Sequence, residues 1–166
     1  DDDRALSVSS VTVNEGSPYA VFTVTGANNQ QTTLSLTEQN TDGANLATLQ
    51  YFDGTAWVDY TAGNVVDLSA SGTLLVRVAL SPEQDASIDG PESFRLVATS
   101  TGGTASAADQ GVGTIVDDGT GAYFAADNNS ATPAVPTGVV LDDDRALSVS
   151  SVTVNEGSPY AVFTVT

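Results

Sequence analysis

Along most of the chain, apolar residues alternate with Thr, Ser, Gln and Asn over short runs that stop at Gly, Asn, Asp or Ser. A period of two bounded by turn formers marks half-buried β-strands, and no stretch of helical period is long enough to compete with it. The pattern predicts strands over Leu6–Asn14, Tyr19–Thr25, Thr32–Thr37, Leu46–Phe52, Ala56–Tyr60, Val65–Leu68, Thr73–Leu80, Ser93–Thr99 and Val112–Val116. In the first strand Leu6 and Val8 share one parity while Val11 and Val13 share the other, so a bulge near Ser9-Ser10 is expected to keep both pairs facing inward. In the second, Ala20, Phe22 and Val24 form the expected inward set. Asp53-Gly54, between Tyr51-Phe52 and Ala56-Trp57, reads as a hairpin turn, and Ser71-Gly72 as another. Many short strands at this spacing predict an all-β fold, an antiparallel, immunoglobulin-like β-sandwich with Trp57, Phe22, Phe94 and the Val and Leu positions in its core.

The opening stretch, Asp1 to Thr25, returns letter for letter as Asp142 to Thr166, an offset of 142 − 1 = 141 residues. Self-similarity at a fixed period is the signature of a tandem array. The expected division is a sandwich module over 1–118, an inter-module connector over 119–141, rich in Gly, Ala, Asn, Ser and Pro, and the first two strands of a next repeat over 142–166. The neighbouring identical repeats are expected as partners within the same polypeptide. Residues 142–166 form an orphan hairpin in this reading. With Val152, Val154, Phe163 and Val165 turned to water, it is expected to pair with another molecule or to exchange with the first copy in a domain swap.

Composition narrows the chemistry. The formal charge is −17, there is no Lys or His or Cys or Met, and Arg4, Arg77, Arg95 and Arg145 are the only cationic side chains. Phosphate recognition needs a basic patch, so nucleic acid is excluded as a partner, and no apolar run is long enough for direct membrane insertion. Without Cys or His there is no disulfide and no thiolate or imidazole nucleophile, which argues against zinc and copper sites. Oxygen chemistry remains. Paired carboxylates of the glycosidase kind are its only enzymatic form, and the acids are better explained by ion binding, so the chain is not expected to be an enzyme.

If each strand reverses direction, alternate connections fall at the same pole of the sandwich. One pole then collects Glu15, Asp42, Asp59, Glu83, Asp85, Asp89, Glu92, Asp117 and Asp118, and the other receives 27–30, the Asp53-Gly54 turn, 69–72 and 100–109. Carboxylates gathered without bases repel one another unless cations sit among them. Calcium, with its six to eight oxygen ligands and tolerance of irregular geometry, is the expected ion. Asp1, Asp2 and Asp3, repeated as Asp142, Asp143 and Asp144, form a second acidic group. It reads either as a solvated charge run or as a calcium staple beside the connector.

Val13-Asn14-Glu15-Gly16, then Phe22-Thr23-Val24-Thr25, Asp59-Tyr60-Thr61, Asp89-Gly90-Pro91-Glu92-Ser93-Phe94 and Gly113-Thr114-Ile115-Val116-Asp117-Asp118 together resemble the Calx-β pattern in order and spacing. The resemblance implies a calcium-binding sandwich with ligands among Glu15, Asp59, Asp89, Glu92, Asp117 and Asp118. Gly119 stands where that pattern often has a further acid. The array itself resembles the extender region of large type I-secreted RTX adhesins, although no Gly-Gly-x-Gly-x-Asp array is present. That resemblance implies a calcium-rigidified extender at the bacterial cell surface, serving adhesion and biofilm formation by holding a distal adhesive domain outward. The alternative is an adhesive module that itself binds a glycan or surface.

Overall fold

The computed structural model describes residues 5–40, 48–80, 90–102, 108–144 and 147–166. Among the described residues there are ten strands: β1 Ser7–Val8, β2 Val11–Asn14, β3 Tyr19–Thr25, β4 Gln31–Asn40, β5 Leu49–Phe52, β6 Trp57–Asp59, β7 Val66–Asp67, β8 Thr73–Ala79, β9 Glu92–Ser100 and β10 Ala108–Val116. They form two five-stranded sheets, ordered β1-β3-β8-β5-β6 and β2-β10-β9-β4-β7. The protein is an all-β, immunoglobulin-like β-sandwich.

The first predicted strand does not stay in one ladder with a bulge. It breaks at Ser9-Ser10 and changes sheets: β1 pairs with β3, and β2 pairs with β10. Both serines hold the crossing. Ser9 donates its N–H to Thr23 O and accepts Thr23 N–H on Oγ, while Ser10 Oγ accepts Val112 N–H. The change of parity at this point is thus a change of partner, and both apolar pairs reach the core from different sheets. The crossing also makes the β2/β10 pairing parallel, a departure from the expected antiparallel order; the other ladders are antiparallel.

Between the sheets lie Val13, Ala20, Phe22, Val24, Val76, Val78, Phe94, Leu96 and Ala98, all without exposed surface. Phe22 and Phe94 meet edge to face at 5.8 Å, a favoured aromatic geometry. Gly113 makes room for this pair, because a Cβ there would lie 2.4 Å from the Phe94 ring. Trp57 is not part of this inter-sheet layer. In β8, Val76 and Val78 point inward, so Arg77 points out, and Trp57 sits over Arg77 on that outer face, its ring 4.4 Å from the guanidinium.

What covers that face is the stretch expected to be a connector. Residues 119–144 fold back on their own sandwich as a strap. Ala122 bridges Val13 in parallel, Phe124 is buried with its N–H on Ser17 Oγ, Arg77 Nη1 donates to Ala126 O, and Trp57 Nε1 donates to Asn128 O. Gly121 permits the close approach: its φ is +92°, and a Cβ there would lie 2.5 Å from Asn14 N. The strap then returns to β2, where Asp142 meets Asn14.

Residues 147–166 form a second hairpin, with Val149 bridged to Val165 and Ser148 and Thr166 exchanging backbone hydrogen bonds. All its described residues are exposed.

Candidate acidic-pole site

The turn after β2 and the end of β10 lie side by side because these strands run parallel, with Val116 opposite Asn14. Glu15 and Asp117 therefore project from adjacent chain ends, and both are buried. The end of the strap brings two more acids to them. Carboxylate oxygens of Glu15, Asp117, Asp142 and Asp144 all lie within 4.8 Å of one another. The sequence reading kept Asp142–Asp144 apart from the polar cluster; the fold brings Asp142 and Asp144 into it, because the strap returns to its own module.

Asn14 is the hub of that return. Its side chain has no exposed surface. Nδ2 donates to Thr120 O at 3.0 Å and to Asp142 O at 2.9 Å, while Oδ1 accepts Gly16 N–H at 3.0 Å and Asp142 N–H at 2.8 Å. Two donors and two acceptor positions are all that a carboxamide offers, so the group is saturated. Gly119 N–H also binds Asp142 O, and Asp144 N–H binds Asp117 Oδ1. Asn14 carries no charge and matched no acidic ligand pattern, and the sequence reading missed it. Only its position before Glu15 in Asn-Glu-Gly hinted at a role.

The remaining predicted residues separate from this cluster. Asp59, at the end of β6, accepts Gln50 Nε2 at 2.6 Å and lies on the outer face near Arg77. Glu92 begins β9 opposite Ile115, at the same end of the sandwich but outside the group of four. Asp118 turns its carboxylate to the N–H and hydroxyl of Thr120, shaping the start of the strap. Asp143 is exposed beside Gly119. Asp1, Asp2, Asp3 and Asp89 lie outside the described residues, as do Asp42, Glu83 and Asp85.

Arg77 anchors the other side of the strap. It is buried, with Nε on Gln50 Oε1 at 2.6 Å and its guanidinium 3.9 Å from the Tyr19 ring centre. Burial pulls it below its ordinary value, against the pull of Tyr19 and Asp59 in the other direction. At the opposite pole a shallow cavity of about 250 Å³ is lined by residues that include Tyr51, Phe52, Asp53, Asp67, Ser69 and Thr73.

No family model and no curated protein matches the chain. Solved structures share the fold distantly. The E. coli chaperone DraB matches 68% of this chain at 11% identity and a TM-score of 0.43, with 54% of DraB covered. The periplasmic chaperone SfaE matches 67% at 10% identity and 0.44, with 56% covered. The CsuC–CsuE chaperone and tip-adhesion subunit complex of Acinetobacter baumannii matches 81% at 11% identity and 0.38, with 72% covered. The chain thus spans little more than half the length of the first two. These proteins are chaperones and a chaperone–subunit complex.

The comparisons correct the family reading. Neither Calx-β domains nor RTX extender repeats are among these structures; pilus chaperones are, so the Calx-β and RTX assignments are withdrawn. With them go the extender function, the glycan- or surface-binding alternative and the cell-surface adhesin placement. The proposed partners, neighbouring repeats and intermolecular pairing through 142–166, are withdrawn as well. The physical reason is that the quoted motifs are turn and strand signals. Asn-Glu-Gly and Asp-Gly-Pro-Glu mark where sandwich strands begin and end, which many unrelated sandwiches share.

Proposed function

We propose that this chain is a non-catalytic β-sandwich module whose acidic pole binds calcium, the ion fastening the end of the strap to the sandwich. The observation that carries the reading is the convergence of four carboxylates from three separate segments: Glu15 after β2, Asp117 after β10, and Asp142 with Asp144 at the end of the strap. Calcium holds its oxygens at about 2.3–2.6 Å, so its ligands lie on a sphere roughly 5 Å across, and oxygens within 4.8 Å of one another fit that shell. The donor set is all oxygen, as a hard cation requires. Four carboxylates this close repel when ionised, and a divalent cation replaces that repulsion with attraction. Glu15, Asp117, Asp142 and Asp144 would hold the ion, and Asn14 would hold Asp142 in place by its backbone.

An extracytoplasmic setting accompanies this reading, because calcium sites of modest affinity, with dissociation constants of roughly 10⁻⁴–10⁻³ M, are filled there. The finer assignment within that setting is the periplasm, where SfaE operates as a chaperone.

Calorimetric titration with calcium, paired with thermal melting, tests the proposal. At a hundred times the dissociation constant one site adds about 2.7 kcal/mol of stability. Asp144→Asn is expected to weaken binding at least tenfold, and Asp59→Asn to leave it unchanged. Identical melting in excess calcium and excess chelator would refute the site.

A further inference from the structure

The pole opposite Glu15 and Asp117 carries a cavity that takes no part in the calcium site. We propose that this cavity binds a small alkyl diamine, with one ammonium group at Asp53 and the other at Asp67.

The cavity exists because a hairpin leaves its neighbour. β5 pairs with β8 as far as Tyr51 opposite Val76, whereas its pairing with β6 goes on to Phe52 opposite Trp57 and closes with Asp53 N–H on Ala56 O. The tip of the β5–β6 hairpin therefore shares no ladder with Thr73–Leu75, which β3 holds on the other side. The space of about 250 Å³ left between them is backed by Asp67, from β7 of the facing sheet, and by Ser69.

Both rims are fixed before anything binds. Asp53 Oδ1 accepts Thr55 N–H at 2.8 Å, the Thr55 hydroxyl at 2.7 Å and Ala56 N–H at 2.8 Å, and none of these bonds uses Oδ2. On the other rim the hydroxyls of Ser69, Ser71 and Thr73 lie 2.8–3.1 Å from one another. A site already held in shape loses little entropy when it is filled.

The lining selects the ligand. Asp53 and Asp67 bring two negative charges, no Arg lines the cavity, and the chain has no Lys. Arg77, two residues along β8 from Leu75, is turned under the strap, with Nη1 on Ala126 O. A carboxylate only accepts and an ammonium group only donates, so the two are complementary. Tyr51 and Phe52 add aromatic surface, which attracts cations, while Leu74 and Leu75 offer an alkyl chain apolar contact. Because Asp53 belongs to one sheet's hairpin and Asp67 to the other sheet, two charges joined by a short alkyl chain match this lining better than one. A metal ion matches it poorly. The volume equals that of roughly eight waters at about 30 Å³ each, and two carboxylates fall well short of the six to eight oxygens calcium takes.

Butane-1,4-diamine titrated into the full chain, followed by amide NMR shifts, is the test. Shifts are expected at Gly54, Thr55 and Thr73, with affinity about threefold above that of butan-1-amine, as one more exposed ion pair supplies. Asp53→Asn removes the charge while keeping an acceptor oxygen for the turn. It and Asp67→Asn are each expected to weaken diamine binding about threefold, and the double variant about tenfold. Glu156→Gln, an equal change of charge on an exposed turn, is expected to leave the affinity unchanged. The inference is overturned if butan-1-ol shifts the same amides as strongly as the diamine, or if Glu156→Gln weakens binding as much as Asp53→Asn. It is also overturned if N-acetyl-lysine methylamide binds more tightly than the diamine, or if calcium chloride shifts these amides and the diamine does not.

Discussion

Replacing Asn14 with Ala separates the strap from the sandwich at its best-defined attachment, and the duplicated sequence supplies a matched control. The substitution removes four hydrogen bonds made by a side chain with no exposed surface. Each is worth about 1 kcal/mol net, and buried partners left without one cost more. Asp142 O keeps Gly119 N–H, and water entering the gap recovers part of the rest. The expected loss is therefore about 3 kcal/mol, below the full sum of four bonds and their desolvation. In a chain of this size that is a fall in melting temperature on the order of 10 °C. Asn155→Ala changes the same residue in the same local turn, where the side chain is exposed and accepts Gly157 N–H. Its expected effect is within about 0.5 kcal/mol, as for surface substitutions generally. Thermal and urea melts of the two variants in chelator, where no ion contributes, give the comparison. Equal losses for both, or a loss under about 1 kcal/mol for Asn14→Ala, would refute the hub.

Gly121→Val puts a β-branched side chain where φ is +92° and where a Cβ would lie 2.5 Å from Asn14 N, so strap docking should weaken by about 1–3 kcal/mol from backbone strain alone. Hydrogen exchange at Ala122, whose N–H bonds Thr12 O, should accelerate in that variant, and unchanged protection would contradict the docking. Asp53 accepts Ala56 N–H and both the hydroxyl and N–H of Thr55, bonds that hold its carboxyl below the ordinary 3.8. A carboxyl whose folded value lies below its unfolded one adds stability above 3.8 that is lost as pH falls through the folded value. An NMR titration should therefore find Asp53 ionising below an unstructured Asp, and Thr55→Ala should move it upward; an Asp53 midpoint at or above 3.8 would contradict the turn geometry.

Period-two patterning located the strands to within a few residues, because burial of one strand face is written directly into alternation. Which sheet each strand joins is not, and Ser9-Ser10 shows why: a change in parity is compatible with a bulge inside one ladder or a step between two. The observed outcome depends on Val112 and Thr23, far away in sequence. The Asp53-Gly54 turn was visible, but only Gly54 takes a positive φ, and Asp53 contributes its side chain instead. Counting strand reversals placed Glu15, Glu92 and Asp117 at one end. It had no means of bringing Asp142 and Asp144 there, since a stretch of Gly, Ala, Asn and Pro carries no period from which docking could be read. The cue available was Phe124, an aromatic in a supposed linker, which is 1% exposed.

The two hairpins divide what short-range sequence decides from what tertiary contact decides. Identical residues make the same turn at Asn14-Gly16 and Asn155-Gly157, and the same serine bonds, in both stretches. Core burial is then added to a shape already present, so little conformational entropy remains to be lost at docking. The end of the strap is fastened by tertiary contact. Asp142 is tied to Asn14 through its backbone, and any ion held by Glu15, Asp117, Asp142 and Asp144 tightens the same tie. Calcium should therefore slow hydrogen exchange at Asp142, whose N–H bonds Asn14 Oδ1, and Asn14→Ala should speed it. Exchange at Asp142 indifferent to both would mean that the acidic group and the strap act independently.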